Sequence, residues 1–146
     1  MSLLERIVET HGPAATVFIR LATGAIFLSE GIQKFLFAEA LGAGRFAKIG
    51  IPAPEIMAPF VGVCEILCGS MLLLGLLTRL AAITMTINML VAIVTTKLPI
   101  LLKSGFWAAA HEARTDFAML LSLLFLLAAG AGSCSLDARM SRRRGG

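Results

Sequence analysis

Four stretches of the chain stay apolar for the 17–25 or so residues that a helix needs to cross a bilayer. They lie at about residues 14–37, 59–77, 80–96 and 115–131. Pro13, Pro59 and Pro99 punctuate them where helices start or stop. The second and third are joined by little more than Leu77, Thr78 and Arg79, which predicts a tight antiparallel hairpin. The hydrocarbon core offers the backbone no water, so its polar groups must be satisfied within each segment. The pattern therefore predicts an all-α fold, an integral membrane four-helix transmembrane bundle forming one domain over residues 1–146, with a basic tail at 138–146.

The informative positions are those that break the apolar pattern. Glu65 lies in the run from Pro59 to Leu77, which holds no basic residue, and Arg20, Glu30 and Lys34 lie in the first stretch. An ionisable group inside a span costs about 2.5–3.5 kcal/mol on insertion scales, so such residues are rare and default to a functional reading. At 1.5 Å rise per residue, Arg20 falls about 10 Å in from the inner face, and Glu65 roughly 9 Å below the outer one. The same counting gives an outer polar layer of Glu30, Gln33, Lys34, Glu65, Lys97, Glu112 and Asp116, joined by His111, and an inner layer of Arg20 and Asn88. On the first helix Arg20, Gly24, Phe27, Gly31 and Lys34 share one face within about 40°, and its two glycines permit close helix approach. Glu30 and Lys34 form an i,i+4 pair in the favourable order. Glu65 needs a cationic partner, and Lys34 or Lys97 lie at matching depth. Glu65, Arg20 and Lys34 are the candidate catalytic groups; Glu30, Gln33, Asn88, Lys97 and Asp116 are candidate substrate-binding groups. The same charges admit a purely architectural use, fixing helix register in a bundle or snorkelling to water near the span ends.

Composition agrees with the pattern. The chain is 58% hydrophobic and 15% charged with a mean hydropathy of +0.88, against about a quarter charged in soluble domains. Phe106 and Trp107 read as a local interfacial anchor. The formal net charge of +4 owes much to Arg139, Arg142, Arg143 and Arg144. Beside a hydrophobic span that run reads as a cytoplasmic topology signal rather than a nucleic-acid patch. With Arg6 and Arg79 it places both termini in the cytoplasm, and the longer connections at 38–58 and 97–114 on the outer face. The first eleven residues, which include Glu5, Arg6 and Glu9, do not resemble a cleavable signal peptide. Cys64, Cys68 and Cys134 are an odd set without CxxC spacing; Cys64 and Cys68, one turn apart, suit a close helix interface better than thiol chemistry. His11 and His111 lack metal-ligand spacing, so no metal is expected, and no flavin-, haem- or nucleotide-binding motif is present.

The run from Arg20 to Lys34, the segment Gly44 to Glu55, the sequence Glu65 to Gly69 behind Gly62, the turn Gly75 to Arg79, Ala82 to Val94 around Asn88, and Ser135 to Asp137 together resemble the DoxX family. The resemblance covers about residues 18–137. It implies a small bacterial inner-membrane protein with four spans. Some relatives are described as the membrane subunit of a thiosulfate:quinone oxidoreductase; others join redox complexes with a sulfurtransferase and a superoxide dismutase. Arg20, Gly31, Lys34 and Glu65 carry over as family-pattern positions. The expectation is an accessory or membrane subunit of a quinone- or sulfur-linked redox system, with quinone as the implied cofactor, redox proteins and the lipid bilayer as partners, and self-association open. A non-enzymatic membrane scaffold is the alternative, followed by a small-solute transporter, for which no inverted repeat is visible.

Overall fold

The computed structural model describes residues 7–144, and among them every regular element is helical. Arg6 lies outside the described residues, as does the side chain of Arg144. The elements are α1 (Thr16–Leu36), two short helices α2 (Ala38–Leu41) and α3 (Ala43–Lys48), α4 (Pro54–Leu74), α5 (Thr78–Ala92), α6 (Leu98–Ser104), α7 (Phe106–Ala129) and α8 (Leu136–Arg144). A π-helical turn, Ile93–Lys97, joins α5 to α6 without a break.

Two helical segments are long and apolar enough to cross a membrane, α4 and the continuous rod Thr78–Ser104. The other two long helices carry more charge: Arg20, Glu30 and Lys34 on α1, and His111, Glu112, Arg114 and Asp116 on α7. Large apolar side chains face outward along all of them, with Phe18, Leu36, Ile56, Phe60, Leu67 and Ile87 more than half exposed, while Arg20, Glu65 and Asp137 are buried. A surface this apolar is one that a bilayer covers.

α1 packs most extensively on α4, antiparallel and close. Gly24 lies over Gly69 and Gly31 over Gly62: a Cβ on Gly24 would stand 2.9 Å from the Gly69 carbonyl oxygen, and one on Gly31 would stand 2.7 Å from that of Gly62. The seam admits no side chain at these crossings. α4 packs on α5, α5 on α7, and α7 touches α1 more lightly, closing a four-membered ring. Leu72, Met85, Leu123 and Leu126, all fully buried, fill its centre.

Several boundaries differ from those read off the sequence. The second span begins at Pro54, so Pro59 is inside α4 and not at its start. Six positions into the helix, its missing N–H and ring affect only the carbonyl of Glu55 in the first turn. Pro99 does not stop the third helix either: it occupies the second position of α6, and the wide turn Ile93–Lys97 precedes it. The fourth long helix starts at Phe106 and not near Thr115, so the expected outer connection at 97–114 is two helical extensions meeting at Gly105, whose φ of +83° makes the turn.

One end of the ring is tied shut by backbone groups. α4 ends at Gly75 with φ +65°, its N–H reaching the Leu72 carbonyl and that of Leu76 the Met71 carbonyl. Asp137 accepts the N–H groups of Leu77 and Thr78 at 2.7 and 2.9 Å, capping α5 from across the fold. Arg20 donates to the carbonyls of Ala131 at 2.7 Å and Cys134 at 3.0 Å. The N–H groups of His11 and Gly12 both reach the Ala129 carbonyl at 2.9 Å.

Candidate functional site

The opposite end is open. A cavity of about 300 Å³ lies between α1, α4, α5, α7 and the segment of α3. Part of its lining is apolar, including Phe27, Phe46, Met89 and Met119. Its polar lining is Glu30, Lys34, Arg45, Glu65, Asn88, Thr95, Thr96, Lys97, Thr115 and Asp116.

At its centre Lys34 Nζ stands 2.6 Å from Glu65 Oε2, and their side chains are 10% and 6% exposed. Asn88 Nδ2 donates to Glu65 Oε1 at 3.0 Å. Glu30 lies 4.0 Å from Lys34 and is half exposed, so it contributes little to the pair. Three helices thus converge on one carboxylate. α1 supplies the cation one turn beyond the Gly31–Gly62 crossing, where the two backbones are closest. Nearer the mouth Lys97, at the end of the π turn, pairs with Asp116 of α7 at 3.3 Å, 15% and 22% exposed. The wide turn sets Thr95, Thr96 and Lys97 along the cavity wall together.

The sequence-derived candidates distribute as follows. Glu65, Lys34, Asn88 and Glu30 are brought together, and Lys97 and Asp116 line the same cavity. Of the two cations at matching depth, Lys34 is the one that meets Glu65. Asn88 does not share a layer with Arg20. Counted from the hairpin that joins their helices, Glu65 is nine residues up α4 and Asn88 ten residues up α5, about 14–15 Å for both; the early start of α4 also places Glu65 deeper than the Pro59 boundary implied. Arg20 lies fourteen residues from Lys34 on the same helix, about 21 Å away, within the closed end. Gln33 turns aside and donates to Ser29 Oγ at 2.8 Å. His111 and Glu112 are exposed on α7 and do not line the cavity. Arg45 and the threonines of the π turn were not among the candidates. Arg45 had only its place in the Gly44–Glu55 segment as a signal, and a threonine on an apolar helix commonly bonds its own backbone, as Thr95 and Thr96 do. Cys68 is buried and Cys64 half-buried, both as free thiols on the helix that carries Glu65.

Comparison with known proteins gives these arrangements a context. The family model described as DoxX matches residues 15–98, more than half of the chain and the part that carries Lys34, Glu65 and Asn88. An uncharacterized membrane protein of Mycobacterium tuberculosis is 52% identical over 144 residues, covering 94% of this chain and 88% of its own length. A Bacillus subtilis protein named "Putative oxidoreductase CatD" is 30% identical over 122 residues, covering 84% of each chain. An uncharacterized protein of Haemophilus influenzae is 32% identical over 138 residues, covering 92% of this chain and 97% of its own. No solved structure matches the chain.

Proposed function

The chain belongs to the DoxX family of membrane proteins, and from that premise we propose that it is a four-span subunit of the bacterial inner membrane whose cavity binds a quinone headgroup, or a small sulfur compound, within a redox system. The observation that carries this reading is the Lys34–Glu65–Asn88 constellation, a charged pair held in an apolar chamber that opens at one end. An ion pair of this kind is costly to desolvate and adds little as architecture. It suits a ligand that changes charge and exchanges protons. Reduction of a quinone to a quinol takes up two electrons and two protons. A reduced sulfur compound, handled by a partner protein, is the electron donor. In the chamber the Lys34 ammonium stabilises negative charge developing on a quinone oxygen, Glu65 Oε1 and Oε2 pass a proton, and Asn88 orients the carboxylate. The name of the Bacillus relative supports a redox role. A scaffold without chemistry would use the same bundle but would not need Glu65 ionisable.

The test is titration of ubiquinone and menaquinone analogues into the protein in lipid nanodiscs. Wild type is expected to bind saturably and Glu65→Gln to weaken binding at least about tenfold, the loss of one good charged hydrogen bond. Because Glu65→Gln leaves Lys34 buried without its counter-charge, the paired change Glu65→Gln with Lys34→Met is included. It should restore thermal stability and still bind poorly. Undiminished binding in the paired variant would assign these residues to architecture alone.

A further inference from the structure

Lys97 borders two spaces, the polar cavity on one side and, on the other, an apolar groove of about 270 Å³ between α6 and α7. The groove is walled by Leu98, Leu101, Phe106, Ala109, Ala110 and Ala113, and apart from Lys97 it has no ionisable lining. It exists because α5 continues through the π turn and past Pro99, carrying the rod alongside the first turns of α7, where the small residues Ala109, Ala110 and Ala113 leave the space unfilled. Along the rod it runs from Ile93 to Leu101, about 12 Å at the helical rise. Its far end reaches Phe106, whose ring meets that of Trp107 edge-on at 5.2 Å at the tip of the helical hairpin.

We infer that the ligand is an amphiphile: its headgroup occupies the Glu65 cavity, and an apolar chain leaves past Lys97 along the α6–α7 groove toward the lipid. The inference rests on the functional reading above and narrows it, favouring a lipid-borne quinone over a small soluble sulfur compound. Adjacency carries it. The two spaces share Lys97 as a wall, one polar and one apolar, in the order that a headgroup followed by a chain requires. Lys97, which lines both, pairs with Asp116 of the cavity lining, the two side chains 15% and 22% exposed. The pair holds the Lys97 stem against α7, where its methylenes can cover a chain while the ammonium stays with Asp116.

The experiment compares two probes in the same nanodiscs, a ubiquinone headgroup without a side chain and its decyl analogue, with affinities expressed as mole fraction in the lipid so that partitioning cancels. Wild type should prefer the decyl probe by at least about tenfold, in line with the value of added methylenes in an apolar site. Ala110→Phe and, independently, Ala113→Leu fill the groove. Each should erase that preference while leaving headgroup affinity unchanged, and Ala110→Ser should keep it. Retention of the preference in both filled variants would overturn the inference. So would headgroup binding without any preference in wild type, which would leave the proposed function standing. Absence of binding by both probes would instead sink the quinone reading, and this inference with it.

Discussion

Asp137 shows how much a single side chain can decide in this fold. It is buried, and its two oxygens take the first N–H groups of α5. Asp137→Ala should destabilise the protein by about 1–3 kcal/mol, the cost of a lost cap and orphaned N–H groups, read as a drop in thermal midpoint in detergent or nanodiscs. Asp137→Asn keeps an acceptor and should cost less. Burial is the largest influence on this carboxyl and pushes its pKa above the ordinary carboxylate range, against the two N–H groups and Arg20, which pull it down. A folded pKa above the unfolded one means that the group's contribution is fully present below the unfolded value and is lost as pH rises through the folded value. The wild-type midpoint should therefore fall relative to that of Asp137→Asn as pH climbs from acidic toward neutral; parallel curves would rule out the raised pKa. Legibility at this scale followed from local anomaly. Glu65, Lys34 and Arg20 stand out because their neighbours are apolar, but the partners of Arg20 and Asp137 are backbone groups, which every residue possesses and no sequence marks.

Among the elements, the α1–α4 seam is the part most open to direct challenge. Gly31→Val would drive a side chain into the Gly62 carbonyl 2.7 Å away and against Ile66. Overpacking of this kind costs about 1–3 kcal/mol, and because Lys34 lies one turn further along α1, probe binding should weaken together with stability. A variant with wild-type thermal midpoint and wild-type binding would show that the seam can yield. The glycine stripe is readable in the sequence because helical phase alone sets Gly24, Phe27, Gly31 and Lys34 on one face, and all but Lys34 are buried there while Lys34 reaches into the cavity. Element ends were less readable. Proline reads as punctuation in the sequence, yet Pro59 sits where one missing N–H matters little and Pro99 follows a turn already widened. The position of the whole Glu65 layer shifted with those ends.

On the scale of the whole molecule, hydropathy alone finds two spans, α4 and the Thr78–Ser104 rod. α1 and α7 fall short because they bear charges: Glu30, Lys34 and Asp116 line the cavity, Arg20 lies in the closed end, and His111, Glu112 and Arg114 are exposed. In the four-span proposal Arg20, Lys34 and Asp116 point inward, so these charges are kept from the lipid-facing surface even though the sequence around them is less apolar. The orientation can be tested with Cys134, which is exposed at the closed end next to the arginines of α8, while Cys68 is buried and Cys64 half-buried. With Cys64 and Cys68 replaced by alanine, a membrane-impermeant maleimide should label Cys134 in inverted vesicles and leave it untouched in intact spheroplasts. The reverse labelling would put the closed end, and the basic tail, outside.

The backbone ties at that closed end carry a consequence for how the chamber communicates. Beneath the cavity floor stand four fully buried apolar side chains, and beneath those the carbonyls held by Arg20 and the N–H groups held by Asp137. The protein is a cup rather than a conduit. In the proposed reading, the proton that Glu65 passes exchanges through the rim, so the chamber answers to the acidity of one compartment and is deaf to the other.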